Sequence, residues 1–344
     1  MIVILKQGVG TEIVESVAAR IRELGLTPHV SRGEYRTIIG AIGEEQKILS
    51  QQLESLDGVE RVVPIMRPYK LASREFHKEG SVVRVGGAAF GPGHISVIAG
   101  PCAVEDPDTL METARAVQSA GAEVLRGGAF KPRTSPYSFQ GLGEEGLKML
   151  ADVRKELNIP ICTEVTNTRD VELVDRYTDV IQIGARSMQN FALLTEVGRT
   201  QKPILLKRGA SAQVKEWLMS AEYILSQGNC QVILCERGIR SFETGVRFVL
   251  DVSAVPQVKQ NSHLPVIVDP SHAAGKRDYV TALALAAIAA GADGLIVEVH
   301  AHPDRALCDG SQALTHEMFA DLMAQIRNVA EAIGRKNITA DNHE

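Results

Sequence analysis

Four side chains that bind metal ions well are scattered along this chain: Cys102, His272, Glu298 and Asp309. A thiolate, an imidazole and two carboxylates form a mixed soft and hard donor set. It suits a divalent first-row ion such as Mn²⁺, Fe²⁺, Co²⁺ or Zn²⁺ without choosing among them. Structural zinc sites use closely spaced cysteine pairs, whereas these donors span about 200 residues, which points to a catalytic ion held by a finished fold. Taken singly, each has an ordinary reading too: Cys102 as a small buried filler, His272 as a hydrogen-bonded loop histidine.

A second collection is cationic. Arg126, Lys131, Arg133, Arg186, Lys207, Arg208 and Arg237 each follow shortly after an apolar run. Guanidinium forks bind phosphate and carboxylate groups bidentately, so this set suits substrates carrying both. A solvated rim is the plain alternative, but it does not explain why the charges recur after run upon run.

The elements that must position these groups are short apolar strands near 95–99, 122–125, 160–163, 179–183, 203–206, 231–235, 265–268 and 294–297. Helices are expected between them, near 107–120, 144–157, 168–176, 189–198, 211–227, 243–250 and 279–290, with a last one at 315–333. Eight such units in roughly 240 residues predict a (β/α)₈ TIM barrel. A doubly wound sheet fits less well, because no Gly-x-Gly-x-x-Gly follows the first strand and the units are too many. In a barrel, the loops after the strands carry the chemistry. Those loops hold Gly100-Pro101-Cys102, Arg126, Lys131–Ser135, Glu164, Arg186, Lys207-Arg208, Glu236-Arg237, Asp269–His272 and Glu298–His300. Strands one and eight are neighbours on closure, which brings Cys102 towards His272, Glu298 and Asp309.

Residues 1–66 have a separate pattern. An apolar run at Ile2–Leu5 reads as a strand, and Thr11 as the cap of a helix carrying Ile13, Val14, Val17, Ile21 and Leu24, which Gly25 stops. Thr27–Ser31 and Tyr35–Ile42 read as a hairpin around Arg32-Gly33-Glu34. Ile48, Leu49, Gln52, Leu53 and Leu56 mark a second helix, and Val59–Met66 a last strand. The order βαββαβ is ferredoxin-like and is shared by ACT-type sensor domains. A polar linker is expected at 67–80, then a hairpin at Ser81–Phe90 opening a catalytic barrel of 81–334, and a flexible tail at 335–344.

Composition sets outer limits. At 44% apolar and 23% charged, the 344 residues resemble an ordinary globular protein. There is no apolar run of about 18 residues to span a membrane, and the N-terminus reads as a strand rather than a signal peptide. A net charge of −5 argues against nucleic-acid binding. The five cysteines are odd in number and irregularly spaced, so a disulfide framework is not expected and a cytoplasmic location is. Cys308 precedes Asp309 and should lie near Cys102, which predicts a redox-sensitive pair when metal is absent.

These motifs resemble those of 3-deoxy-D-arabino-heptulosonate 7-phosphate (DAHP) synthases, in the short-barrel class with an N-terminal ferredoxin-like regulatory domain. Lys131-Pro132-Arg133-Thr134-Ser135 is the most specific match. Ile98–Cys102, Ile183–Arg186, Leu205–Gly209, Cys235–Gly238 and Val268–His272 add to it. The resemblance covers nearly the whole chain, and no active-site position of the family is missing.

The resemblance implies that phosphoenolpyruvate condenses with erythrose 4-phosphate. Arg186, Lys207 and Arg237 would hold the phosphate of phosphoenolpyruvate, with Arg126 and Lys131 near its carboxylate and reacting carbons. Arg133, Thr134 and Ser135 would bind the aldose phosphate, and Cys102, His272, Glu298 and Asp309 the divalent metal. Lys131 is the candidate proton donor, tuned by its cationic neighbours; whether the metal activates the aldehyde or the water stays open. An aromatic amino acid, tyrosine or phenylalanine, is the expected feedback effector, with His29 and Ser31 on one strand face as candidate contacts, in a homo-oligomer (dimer or tetramer). The alternatives are a 3-deoxy-D-manno-octulosonate 8-phosphate synthase, which typically has Lys-Ala-Asn-Arg at 131–134, and an amino-acid sensor on a dead barrel.

Overall fold

A computed structural model of the chain describes residues 1–32, 36–42, 51–63, 68–132, 135 and 137–335. It divides into two compact units, Met1–Pro68 and Tyr69–Glu344.

In the first unit, β1 (Ile2–Leu5), α1 (Thr11–Glu23), β2 (Thr27–Arg32), β3 (Thr37–Ile42), α2 (Gln51–Glu54) and β4 (Val59–Val63) follow the expected order. The strands form an antiparallel sheet ordered β2-β3-β1-β4. Val14, Val17 and Ile21 line one stripe of α1 and pack with Val3, Leu5, Ile39 and Leu53. The α1 N-cap is Gly10 rather than Thr11, which is already helical, and no side chain caps the end. Gly25 ends the helix in the left-handed region at φ 79°, where the Leu26 N–H reaches back to the Ile21 carbonyl. His29 and Ser31 sit on β2 opposite Gly40 and Ile38, both exposed. The hairpin tip at 33–35, the expected helix start at 48–49 and the strand end at 64–66 lie outside the described residues, as does the tail from 336.

The second unit opens with a hairpin of β5 (Val83–Val85) and β6 (Ala88–Phe90). Eight parallel strands then close on themselves: β7 (Ser96–Gly100), β8 (Val124–Arg126), β9 (Ile161–Val165), β10 (Val180–Ile183), β11 (Ile204–Lys207), β12 (Val232–Glu236), β13 (Val266–Val268) and β14 (Gly294–Glu298). The intervening helices are α3 (Pro107–Ala120), α4 (Glu144–Leu157), α5 (Val171–Tyr177), α6 (Phe191–Val197), α7 (Val214–Leu225), α8 (Ala254–Asn261), α9 (Pro270–Ala274), α10 (Arg277–Ala289) and α11 (His316–Ala332). This is the expected TIM barrel.

Val83, Val85 and Phe90 pack with Ile98, Val124, Leu205, Ile233 and Ile296 inside the barrel. The Ser96 hydroxyl, at the start of β7, bonds both the N–H and the carbonyl of Ala89. The hairpin therefore fills the N-terminal end of the barrel and leaves chemistry to the other end. From Tyr69 onward the expected linker is tied to the barrel unit. The Glu222 carboxylate accepts the N–H groups of Lys70, Leu71 and Ala72 at 2.8–2.9 Å, and His263 Nε2 lies 2.6 Å from the Leu71 carbonyl.

Two helices depart from the sequence reading. No helix forms at 243–250; that stretch is a loop pinned by the Ile239–Val249 bridge, and the helix starts at Ala254. Pro256 obscures it in the sequence, but a proline in a helix's first turn removes no hydrogen bond. After β13 comes the short helix α9 instead of a loop. Pro270 occupies its first turn, and the Asp269 carboxylate caps it by accepting the His272 N–H.

Candidate active site

Close packing of strand ends begins at Gly100. Its φ is 147°, and a Cβ there would overlap the Arg126 carbonyl. This lets the ends of β7 and β8 approach, so Cys102 lies beside Arg126 and Lys131. Arg126 Nη2 and Lys131 Nζ both donate to the Cys102 carbonyl, at 3.4 and 2.9 Å. Arg126 is buried, and its Nη1 donates to Glu298 Oε1 at 2.6 Å.

Glu298, at the end of β14, is equally buried. Burial alone would raise its carboxyl, but His272 and the Arg126 guanidinium hold it down at about 2. Its other oxygen accepts from Gln312 Nε2 at 2.5 Å. His272 projects from α9. Its Nδ1 lies 2.7 Å from Asp269 Oδ2. A carboxylate only accepts, so Nδ1 carries the hydrogen and Nε2 offers a lone pair. Burial lowers the His272 pKa despite the neighbouring acids, which keeps the ring neutral. Asp269 is shared with Lys207, whose Nζ donates at 2.6 Å. Burial opposes the Asp269 charge, yet His272 and Lys207 hold its carboxyl well below the usual range.

His272 Nε2 lies 3.2 Å from Glu298 Oε1 and 3.8 Å from Asp309 Oδ2, and Cys102 Sγ lies 3.5 Å from Asp309 Oδ2. Among the described residues, the donor atoms of Cys102, His272, Glu298 and Asp309 form one group within 4.8 Å of one another. Metal–sulfur bonds near 2.3 Å and metal–nitrogen or –oxygen bonds near 2.0–2.1 Å imply ligand separations of roughly 3.3–3.7 Å in a tetrahedral site. The side chains present therefore fit a divalent ion with little rearrangement. Asp309 is held at φ 52°, in the left-handed region that L residues seldom adopt. The Cys102 thiol is pushed well up, first by its hydrogen bond with Cys308, then by burial and Glu298.

Beside the donor group opens a cavity of about 810 Å³. Arg126, Lys131, Ser135, Arg186, Lys207 and Arg237 all line it, as the sequence reading anticipates. Arg186 is exposed and its Nη1 donates to the Pro132 carbonyl at 3.1 Å, tying the loop after β10 to the loop after β8. Arg237 stacks over the Phe248 ring at 4.1 Å. Trp217, the single tryptophan, donates from Nε1 to the Leu206 carbonyl and so fixes β11 immediately before Lys207.

Three expectations need revision or fall outside view. Arg208 does not face the cavity; it is buried between Glu236 and Asp251, at 2.8 Å from each. Lys131 is not tuned downward: burial opposes its charge, but the sulfur of Cys102 at 3.1 Å outweighs that and raises it. Arg133 and Thr134 lie outside the described residues.

Several site groups escaped the candidate set. Glu164, on β9, lines the cavity and is held by Gln182 Nε2 at 3.2 Å. A Cβ at Gly184 would overlap its carboxylate, which accounts for the glycine before Ala185-Arg186. Arg240 and Arg247 add cationic lining. Arg247 Nη1 reaches Gln312 Oε1 at 3.1 Å and Asp309 Oδ1 at 3.4 Å. The signal available for Asp269 was its place before proline, three residues ahead of a histidine. Nothing periodic marks Arg247 or Gln312, which sit on irregular loops.

Comparison with known proteins agrees with this geometry. Residues 77–334 match the DAHP synthetase I family, and residues 1–67 match the DAHP synthase ferredoxin-like domain. A phospho-2-dehydro-3-deoxyheptonate aldolase of Thermotoga maritima is 50% identical over 336 residues, 98% of this chain and 99% of the relative. Its crystal structure superposes with a TM-score of 0.94 over 97% of this chain and 98% of that one, at 49% identity. A 2-dehydro-3-deoxyphosphooctonate aldolase of Syntrophobacter fumaroxidans is 33% identical over 71% of this chain and 90% of its own length. With both units matched and half of all residues shared with a relative aligned along the whole chain, the protein belongs to the DAHP synthetase I family.

Proposed function

We propose that this chain catalyses the reaction of its family, the condensation of phosphoenolpyruvate with erythrose 4-phosphate and water to give DAHP and phosphate, the first step of the shikimate pathway. The observation that carries the reading is a four-donor metal group opening onto a cavity lined by five arginines or lysines anticipated from the sequence.

Arg186, Lys207 and Arg237 hold the phosphate of phosphoenolpyruvate, and their charge stabilises it as the C–O bond to C2 breaks. Arg126 and Lys131 hold the carboxylate end. Ser135, with Arg133 and Thr134, holds the phosphate of the aldose. So oriented, the enol C3 attacks the aldehyde C1 of erythrose 4-phosphate, the new C–C bond taking the enol electron pair. The aldehyde oxygen becomes an alkoxide and takes a proton, for which the Lys131 ammonium is the donor. Water adds at C2, loses a proton, and phosphate departs. A divalent ion held by Cys102, His272, Glu298 and Asp309 supplies Lewis acidity in this site, towards the aldehyde or towards the water. Mn²⁺, Fe²⁺, Co²⁺ and Zn²⁺ all suit the donors. The first unit acts as a sensor for tyrosine or phenylalanine, with His29 and Ser31 as contacts, and the protein works in the cytoplasm as a homo-oligomer.

The test is phosphoenolpyruvate consumption after chelation and stepwise metal return, with erythrose 4-phosphate and arabinose 5-phosphate in parallel. Metal-restored turnover with the four-carbon aldose is expected, and loss of metal and turnover together in Cys102→Ala. Equal use of arabinose 5-phosphate, or normal turnover in Cys102→Ala, overturns the reading.

A further inference from the structure

Asp309, a proposed metal ligand, stands on the loop at 299–315 between β14 and α11. The ends of this loop are fixed. Val299 and Leu314 form a bridge, and the His300 N–H donates to the Leu314 carbonyl. Arg277 reaches the carbonyls of Ser311 and Gly310. The middle of the loop must still hold Asp309 in its left-handed conformation, and that conformation is disfavoured for a residue with a side chain.

Glu105 meets this loop from the other side. It sits three residues after Cys102, on a segment that is itself rigid. The Val104 N–H donates to the Gly128 carbonyl, and Asp106 caps α3 by accepting the Thr109 N–H. Glu105 Oε1 accepts the Leu307 N–H at 2.8 Å, two residues before Asp309. Glu105 Oε2 lies 3.5 Å from Nε2 of the buried His300. The tautomer of His300 follows from its other nitrogen: Nδ1 accepts the His302 N–H at 3.0 Å, so the hydrogen sits on Nε2, which lies beside the carboxylate without a hydrogen bond to it. One side chain thus bonds the loop at Leu307 and packs against it at His300.

We infer that Glu105, with His300 packed beside it, is a positioning residue for the metal site: its bond to the Leu307 N–H clamps the loop of Asp309 to the segment of Cys102 and sets the distance between these two ligands. This rests on the metal assignment made above. Cys102 and Asp309 are the pair of ligands on separate loops rather than on a strand end or a helix, so their spacing depends most on such a clamp. Groups behind metal ligands commonly change affinity about 10–100-fold when removed.

Full-length apo protein is titrated anaerobically with Co²⁺ alone, followed by the thiolate-to-cobalt charge-transfer absorption and by chelator competition. Glu105→Ala should weaken Co²⁺ binding about 10–100-fold and shift or weaken the thiolate band. Glu105→Gln keeps an acceptor for the Leu307 N–H and should lose less. If Glu105→Ala does not fold, Glu105→Gln and His300→Gln are read instead, each with an expected loss of affinity. A merely structural role would lower the melting temperature of the apo protein and leave Co²⁺ affinity unchanged; that result overturns the clamp. Wild-type protein without a thiolate band, or a band that survives Cys102→Ala, overturns the metal assignment itself and the clamp with it.

Discussion

Cys102 Sγ lies 3.3 Å from Cys308 Sγ, and the same Cys102 sulfur lies 3.5 Å from the Asp309 carboxylate. One thiol therefore faces both a partner for oxidation and a proposed co-ligand. A disulfide needs a sulfur separation of about 2.05 Å, so a shift of little more than 1 Å would join the pair. In apo protein exposed to dioxygen, the two thiols should give up two hydrogens to the oxidant and form a Cys102–Cys308 link, which blocks metal return. Bound metal should protect, because the Cys102 sulfur is then engaged. Peptide mapping of thiols after air exposure checks this, and both cysteines remaining reduced would sink it.

Asp269 should matter to metal binding although it is not among the ligands. It fixes the His272 tautomer and is the counter-charge of buried Lys207. Asp269→Asn leaves Lys207 without that charge, which costs on the order of 3 kcal/mol. It also loosens the orientation of His272, for an expected loss of about 10–100-fold in metal affinity. Metal content after dialysis and urea unfolding should both change. Normal values for both would show that the histidine is oriented by something else.

Acid should loosen the barrel unit at His263, which precedes β13, whereas the proposed ligand His272 follows it. Its Nε2 bonds the Leu71 carbonyl and its Nδ1 the Ser81 hydroxyl, while His77, Arg74 and Glu222 face it. Burial, with the charges of His77 and Arg74, lowers its pKa. In the unfolded chain it titrates near about 6.5. Between the lowered folded value and that one, the unfolded chain binds the extra proton. Stability therefore rises with pH across this window and is lost as pH falls below about 6.5. Urea midpoints at about pH 5.5 and about pH 7.5 should differ less in His263→Gln than in wild type. An undiminished difference would assign the pH dependence to other groups.

Much of the barrel was legible because its strands are short apolar runs that end in charge: β14 ends in Glu298, β11 in Lys207. Periodicity found the helices where their stripes are regular, as in α3 and α4. It failed at α8, where Pro256 sits inside the first turn, and at α9, whose five residues are too few to show a period. The four donors of the proposed metal site were legible by residue type. The groups behind them were not, because Gln312, Arg247 and Glu105 act through contacts across loops that no spacing rule connects. Arg208 was misread for the opposite reason: it stands next to Lys207, so strand alternation turns it to the other side, towards Glu236 and Asp251.

The first unit should be dispensable for turnover and required for control. It has its own core of Val3, Val17, Ile21, Ile39 and Leu53, and none of the proposed catalytic groups lies in it. The barrel unit likewise closes its own sheet and fills its own N-terminal end with the β5–β6 hairpin. His29 and Ser31 are exposed on one face of β2, where they can offer hydrogen bonds to a small ligand at no burial cost in its absence. Inhibition by such a ligand requires that it bind preferentially to a less active state of the full chain. Removing residues 1–66 should then leave most of the turnover and abolish inhibition by tyrosine or phenylalanine. His29→Ala should shift the inhibition curve to higher ligand concentration without changing the KM for phosphoenolpyruvate. Dose–response curves for both amino acids, on full-length, truncated and His29→Ala protein, make the comparison. Equal inhibition of the truncated barrel would place the sensor elsewhere in the chain.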